Sequence, residues 1–172
     1  MKEGEFGHGK VRVENGMLVV DGGQPVAGLA CSREVPKTDY ELAFETKYDG
    51  ATAVFCQLVF PIGEASCMLD VGGYTAMRIG LEYFDGMPPD GRGSPADKVM
   101  KFDPGRWYSV RLRVTKTDLA YWIDDEKLFE TPLAGHNFGI APRWNVLKPL
   151  GLLTGNSKLS IRSFRVRTIG KE

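Results

Sequence analysis

Basic and aromatic side chains that could bind a sugar occur on two consecutive predicted strands. Arg111, Arg113 and Trp122 fall on one face when these strands pair through the short loop between them. An indole ring can stack on a pyranose while guanidinium groups bind its hydroxyls. The same residues could instead form a cation–π cluster that only covers the sheet, worth about 0.5–1 kcal/mol when exposed. Three more aromatic residues, in or near predicted loops, are candidates for the rim of such a groove: Tyr74, Tyr83 and Trp144.

A second group of residues could carry acid–base chemistry. Asp70, Arg78 and Glu82 lie on adjacent predicted strands and could point into a groove as an acid–base pair, although a solvated ion pair is the commoner outcome. His8 and His136 are the only side chains whose unperturbed pKa lies near neutrality. We expect His8 to lie in a mobile terminus, which leaves His136 as the histidine to test.

Other acidic residues fit structural roles better than catalytic ones. Asp124, Asp125 and Glu126 are consecutive at a strand end, where aspartate forms turns. Retaining glycosidases instead need two carboxyls about 5–5.5 Å apart across the scissile bond. The loop acids lack the spacing of a calcium-binding loop, although a single Ca²⁺ on the rim of the fold remains an alternative; they are Asp85, Asp90 and Asp97. We predict no other cofactor and no metal ligands, because no phosphate-binding loop, dinucleotide fingerprint or nucleophile elbow occurs.

The strands that carry the Arg–Trp group form the clearest hairpin in the sequence, over 102–130. Apolar and polar residues alternate with period two on both sides of the turn at 115–118. This register predicts three apolar cross-strand pairs: Val114–Leu119, Leu112–Tyr121 and Val110–Ile123. One face of the hairpin is therefore expected to pack on a core and the other to stay open.

Composition limits the class of protein. With 172 residues the chain fits one domain over 1–172, in which we expect 1–9 to be flexible. Its 22 basic and 22 acidic residues give no field that would draw it to nucleic acid. It lacks a run of 18 apolar residues, which argues against a membrane span, and its first ten residues do not read as a signal peptide. Localisation therefore stays open.

The three cysteines lack metal-ligand spacing. We predict that Cys31, Cys56 and Cys67 are reduced and act as small apolar side chains. The alternative is a Cys56–Cys67 disulfide, because these two residues flank a predicted turn at 61–64 and could face each other across a hairpin.

The rest of the chain predicts short strands and turns. Asn15-Gly16 is a two-residue hairpin signal, 40–47 alternates with a charged outer face, and 52–60 is apolar on both faces and should be central. Residues 78–84 form a further strand, 85–101 is a long polar loop, and a change of apolar phase predicts a bulge at Arg162-Ser163. About twelve strands and no helix predict an all-β fold: a single antiparallel two-sheet jelly-roll sandwich. Its expected core includes Leu42, Phe44, Val110, Leu112, Ile123 and Phe164.

The order of these segments resembles the concanavalin A-like jelly rolls, in particular the LamG-like and 3-keto-disaccharide hydrolase group. The segments that carry the resemblance are ENGMLVVDGG (14–23), TDYELAFE (38–45), GRWYSVRLRV (105–114), AYWIDDEKLF (120–129) and PLGLLTGNSKLSIRSFRV (149–166). Phe55-Cys56, Phe60-Pro61, Cys67 and 71–73 also resemble planctomycete-type domains of this group. These motifs encode strands and turns, so the resemblance implies a fold more than a function.

Three functions follow as hypotheses. The first is a non-catalytic module that binds a carbohydrate or a protein partner through its open sheet face or rim loops. The second, implied by the resemblance, is an enzyme that cleaves glycosides of 3-keto sugars. The third is a structural accessory domain of a larger protein.

Overall fold

The structure is a computed structural model that describes residues 2–3, 9–23, 25–50, 54–87 and 94–170. For residues 2, 3 and 74 it describes the backbone only. The predicted flexibility of 1–9 falls largely outside the described residues, and His8, Asp90 and the side chain of Tyr74 lie outside them as well.

Strands dominate the described residues, with one four-residue helix, α1 (Gly73–Ala76), and two short 3₁₀ segments (Phe84–Gly86 and Pro142–Leu147). The strands are β1 (Lys2–Glu3), β2 (Val11–Glu14), β3 (Met17–Val20), β4 (Ala27–Ala30), β5 (Tyr40–Asp49), β6 (Cys56–Ile62), β7 (Ala65–Gly72), β8 (Arg78–Glu82), β9 (Lys98–Val99), β10 (Tyr108–Val114), β11 (Asp118–Ile123), β12 (Glu126–Pro132), β13 (Gly151–Thr154) and β14 (Lys158–Thr168). No helix of the described residues is long and apolar enough to span a membrane.

The strands form two antiparallel sheets of seven. The first sheet has the order β1-β4-β13-β6-β7-β8-β9, and the second has the order β12-β11-β10-β5-β14-β3-β2. The sheets pack face to face over one large core, to which both contribute. The all-β, two-sheet jelly-roll sandwich predicted from the sequence is therefore confirmed.

The alternation of apolar and polar residues and the turn residues account for the strands and register of the second sheet. In β5 every second residue is buried, as its alternation predicts. The β10–β11 hairpin has the predicted register: Val114 pairs with Leu119, Leu112 with Tyr121 and Val110 with Ile123. Asn15 and Gly16 both have positive φ (51° and 74°), the conformation of the predicted two-residue turn between β2 and β3.

The first sheet departs from the predicted boundaries at both ends of the β6–β8 meander. Pro61 and Ile62 belong to β6, so the turn contains only residues 63 and 64. Pro61 is tolerated in a strand because β13 pairs with β6 only as far as Val59, beyond which that side of the ladder needs no donor. At the other end, β8 stops at Glu82 instead of continuing to residue 84, since Tyr83 has a positive φ of 52°. β6 is fully buried and central, as expected.

The core contains five of the six predicted residues, and Phe164 is the exception. The ring of Phe164 lies 5.4 Å from that of Phe44, but the residue remains 38% exposed. The register of β14 against β5 shifts between Arg162 and Arg165, with Ser163 at a φ of 56°. The predicted bulge is therefore present, and it places Phe164 at the edge of the core.

The cysteines are free thiols, as predicted. The alternative Cys56–Cys67 disulfide is excluded by the register of the hairpin, in which Cys56 pairs with Val71 and Cys67 pairs with Phe60. The two cysteines are therefore offset by four residues, about 13 Å along the strand, which is beyond the reach of a disulfide.

The two edges of the second sheet carry charged side chains. At one edge, three of the four residues of β2 are exposed, and Arg12 forms ion pairs with Glu14 and Asp21. At the other edge, β12 exposes Lys127 and Glu130, which form an ion pair with each other.

Candidate functional site

The predicted Arg–Trp group forms, but as a closed cluster. The guanidinium carbons of Arg111 and Arg113 lie 4.0 and 5.4 Å from the centre of the Trp122 ring, which faces outward from the second sheet. Trp122 is only 8% exposed. The indole is therefore covered by its basic neighbours, and the expectation of an exposed stacking surface is wrong.

Ion pairs fix the basic side chains of this cluster. Arg111 contacts Glu41, which also binds Arg167 at 2.8 Å, and Arg113 contacts Glu130 at 3.2 Å. These pairs are partly exposed and contribute little stability individually. Together they hold the guanidinium groups against the sheet, so this face has the geometry of the cation–π alternative.

The outer face of the first sheet has an apolar region and a polar region. In β6 the even-numbered residues point into the main core, so Val59 and its neighbours at odd positions point outward. The 3₁₀ segment Pro142–Leu147 covers the apolar region and forms a second small core. That cluster comprises Val59, Met68, Ala141, Trp144, Leu147 and Leu153.

The polar region is a group of three buried side chains on three adjacent strands, which we call the acid pair with its bridging amide. Gln57 on β6 lies opposite Asp70 on β7, and Glu82 on β8 lies diagonal to Asp70. Gln57 Nε2 donates to Glu82 Oε1 at 2.7 Å, and the proximity of the same amide lowers the pKa of Asp70. Asp70 is 8% exposed and Glu82 is 3% exposed.

Two glycines make room for carboxylates on this face. A Cβ atom on Gly73 would collide with the carboxylate of Asp70, and one on Gly80 would collide with that of Asp97. Asp97 pairs with Arg78, the basic residue predicted beside the acid pair. The sequence-predicted trio of Asp70, Arg78 and Glu82 is thus brought together on two neighbouring strands, and Arg78 is engaged by a third acid.

Burial controls the ionisation of the pair. Burial and, to a smaller extent, the charge of Glu82 raise the pKa of Asp70 to about 8, while Arg78 opposes the shift. Burial likewise raises the pKa of Glu82 to about 7, against the field of Arg143 and the hydrogen bond from Gln57. Both carboxyls therefore change protonation near neutral pH, where exposed carboxyls are fully ionised.

Each carboxyl also retains an unsatisfied oxygen. Asp70 Oδ1 and Glu82 Oε2 are buried and have no hydrogen-bond donor within the described part of the chain. Such atoms are uncommon in folded proteins, because a buried polar atom without a partner costs about 1–3 kcal/mol.

Two of the predicted rim aromatics lie on this face. Tyr83 packs against the small outer core, although strict alternation along β8 would direct it inward; its positive φ breaks that alternation. Trp144 belongs to the same core and is 8% exposed, with the guanidinium carbon of Arg143 at 4.8 Å from the ring centre. Trp144 therefore serves packing, whereas the half-buried Tyr83 retains surface beside Glu82.

His136 is held in a brace between two loops. Its Nδ1 lies 2.8 Å from Asp85 Oδ2, and Asp85 Oδ1 accepts the backbone N–H of Asn137 at 2.8 Å. The imidazole also packs on the Phe84 ring at a centroid distance of 4.7 Å. The hydrogen bonds from Asn137 and His136 lower the pKa of Asp85. In the described residues no hydroxyl or thiol bonds this ring, so the contacts are those of a structural link.

The other acidic candidates form a turn. Asp124 and Asp125 have φ values of 49° and 66°, and Asp124 accepts hydrogen bonds from Arg106 and from the backbone of Ser109. Across the residues that the structure describes, no three His, Cys, Asp or Glu side chains are grouped to hold a metal ion.

Gln57 is the member of the site that sequence reasoning missed. It is the only polar side chain between Val54 and Ile62, in a strand predicted to be buried on both faces. A single amide in such a strand must find hydrogen-bond partners on a neighbouring strand. That signal could have linked it to Asp70.

Comparison with solved structures places the fold. CBM66 from Bacillus subtilis, a carbohydrate-binding module, aligns with a TM-score of 0.61 at 11% identity, over 94% of this chain and 92% of that one. The lumenal domain of VIP36, in its Ca²⁺/Man3GlcNAc-bound form, gives 0.62 at 10% identity, over 96% and 84%. A β-1,3-glucanase from Mycobacterium marinum gives 0.53 at 13% identity, over 89% and 75%.

These likenesses and the sheet order show that the chain has a concanavalin A-like jelly-roll fold. At such low identities they establish the fold and not the function. No protein-family model and no curated protein matches the sequence.

Proposed function

We propose that this domain is a carbohydrate-binding module whose ligand site is the outer face of the first sheet, at Asp70, Glu82 and Tyr83. The observation that carries the proposal is the pair of buried carboxyl oxygens without donors, Asp70 Oδ1 and Glu82 Oε2. Sugar hydroxyls are donors of the required kind, and hydrogen bonds to charged acceptors are stronger than neutral ones.

The surroundings support this choice of face. Tyr83 offers an aromatic edge beside Glu82, and Arg143 supplies a cation close enough to influence the ionisation of Glu82. On the opposite face of the sandwich, the guanidinium groups already cover Trp122. Two of the structural neighbours, CBM66 and the VIP36 domain, are a carbohydrate-binding module and a glycan-bound domain by their descriptions.

A glycan array followed by calorimetry tests the proposal. At pH 9, where both carboxyls are ionised, we expect one class of neutral glycan to bind, and Glu82→Gln and Asp70→Asn each to weaken binding about tenfold or more, because each then removes a charged acceptor. Glu130→Gln, an exposed carboxylate on the second sheet, is the matched control and should bind normally. Absence of glycan binding, or loss of binding only on Trp122→Ala, contradicts the proposal. Near-ultraviolet circular dichroism shows that each variant is folded.

A second candidate function is glycoside cleavage by the same acid pair. The observation in its favour is that both carboxyls have a pKa close to neutrality, so one can hold a proton while the other is ionised. Such division of roles is what general acid catalysis of glycoside hydrolysis requires. Under this alternative, Glu82 and Asp70 would be the catalytic residues and Gln57 would position them.

Product analysis separates binding from cleavage. The glycan that binds is incubated with the domain and the products are analysed by mass spectrometry. Intact glycan after prolonged incubation supports the binding module. Release of a shortened glycan that Glu82→Gln abolishes supports the enzyme, provided that the variant still binds the substrate.

A further inference from the structure

A cavity of about 560 Å³ lies between the two sheets, and none of the residues that line it belongs to the acid pair. Leu18 and Ile161 line it from the second sheet, and Leu29 and Leu152 line it from the first. The volume falls within the range of about 300–1,000 Å³ that is typical of small-molecule sites.

The bulge in β14 helps to form this cavity. Ser163 and Phe164 line it, and the partly exposed ring of Phe164 lies against Phe44 at the boundary of the main core. The apolar lining therefore continues the interior of the sandwich, whereas Val13, 70% exposed, lies at the outer rim.

The charged side chains that line the cavity are all basic. Arg33 and Arg162 line the cavity, and no aspartate or glutamate does. Arg162 is held by both carboxylate oxygens of Glu45, at 3.0 and 2.9 Å. Arg33, in contrast, makes no ion pair with any other residue that the structure describes, and it lies on an exposed segment that follows Cys31. One guanidinium group is thus available at the mouth of an apolar cavity.

We propose that this cavity binds an amphipathic carboxylate, with an aliphatic chain against the leucines and the carboxylate on Arg33. Charge complementarity selects this ligand class, because the lining offers a free cation and no anion, and guanidinium binds carboxylate in a bidentate geometry. Each methylene of the chain that is removed from water adds to the affinity through the hydrophobic effect. The site is separate from the glycan site proposed above and does not depend on it.

Cys31 provides a reporter for binding. It lines the cavity and is partly exposed, whereas Cys56 and Cys67 are buried in the core. Dodecanoate at saturating concentration should slow the reaction of Cys31 with a coloured thiol reagent by fivefold or more, and calorimetry on the unmodified domain should give one binding site.

Matched variants test separately how the cavity binds the carboxylate and the aliphatic chain of the ligand. Arg33→Gln should weaken dodecanoate binding about tenfold, the loss of one charge-assisted interaction. Arg165→Gln, on the same sheet as the bulge but outside the cavity lining, should leave it unchanged. Leu18→Trp should block both dodecanoate and dodecanol, with near-ultraviolet circular dichroism confirming that the variant folds.

Three outcomes would overturn the proposal. The first is no protection of Cys31 by dodecanoate. The second is dodecanol binding as tightly as dodecanoate, which would remove the role of Arg33. The third is protection of Cys31 that depends on protein concentration alone, with a dimer in size-exclusion chromatography, which would make a second copy of the chain the occupant.

Discussion

The acid pair shows how strongly burial on a sheet can change the ionisation of a side chain. Asp70 and Glu82 would be ordinary ionised carboxylates on an exposed strand, yet in this sheet they are nearly buried. Desolvation then raises both pKa values, and the bridging Gln57 satisfies only part of their hydrogen-bonding capacity. The ionisation of this acid pair should therefore respond both to pH and to a ligand that binds the two carboxyls.

The first prediction concerns pH. Because burial raises both pKa values above those of the unfolded chain, the folded state binds more protons between about pH 4 and pH 8. The free energy of unfolding should therefore fall as pH rises through that window, by about 2 kcal/mol or more between pH 5 and pH 9. Urea titrations at a series of pH values measure this. Asp70→Asn should flatten the dependence.

The control for that experiment is Glu64→Gln, since Glu64 is an exposed partner of Lys37. Its pH dependence should match that of the unmodified domain. A stability that rises steadily from pH 5 to pH 9 would show that the two carboxyls ionise normally.

The second prediction concerns Trp122. Because its ring is buried under Arg111 and Arg113, Trp122→Ala removes packing as well as two cation–π contacts. We expect a loss of about 2–3 kcal/mol in the free energy of unfolding, below the range for fully buried tryptophans because surface groups can relax into the gap. Chemical denaturation provides the measurement, with exposed Val99→Ala as a near-neutral comparison. A change below about 0.5 kcal/mol would mean that the cluster is loosely packed.

At the scale of elements, turns explain why the hairpins could be predicted and the sheet order could not. Asn15-Gly16 and the turn at 115–118 act over a few residues, so alternation and turn chemistry specify the register on both sides. β13 instead inserts between β4 and β6, so that Gly151 pairs with Ala30 and with Val59. No local pattern encodes such a distant pairing, because only the packing of the complete sandwich selects it.

The third prediction tests one of these turns. Asp124 and Asp125 both adopt positive φ, which favours glycine at the second position, but only Asp124 accepts hydrogen bonds from Ser109 and Arg106. Asp125→Gly should raise the free energy of unfolding by about 0.5 kcal/mol, by relieving backbone strain. Asp124→Ala should lower it by about 1–2 kcal/mol. Thermal and urea denaturation measure both, and equal effects of the same sign would contradict this view of the turn.

Across the whole molecule, the sequence predicted the architecture better than the candidate site. The apolar alternation of β5, β10 and β11 predicts strands with one buried face, and the register of the β10–β11 hairpin was predicted pair by pair. The exposure of Trp122 was not predictable, since it depends on the conformations of two long arginine side chains. The role of Gln57 depends on pairing with β7 and on a diagonal contact to β8.

The fourth prediction concerns the thiols of the intact domain. Alkylation without reductant should add three labels under denaturing conditions, because all three cysteines are free. In the native state Cys31 should react first, since burial raises the pKa of both Cys56 and Cys67. Intact mass spectrometry counts the labels. A single label on the denatured chain would indicate a disulfide.

The charged edges of the second sheet bear on how the domain behaves at high concentration. A strand with free backbone donors and acceptors invites another chain to extend the sheet, and such extension leads to fibrils. Arg12 and Glu14 at one edge, and Lys127 and Glu130 at the other, would lose hydration if a second strand docked there. Replacing these four side chains with threonine would leave the interior of the sandwich intact. It would, however, remove the charges that keep the edge strands of two copies from pairing with each other.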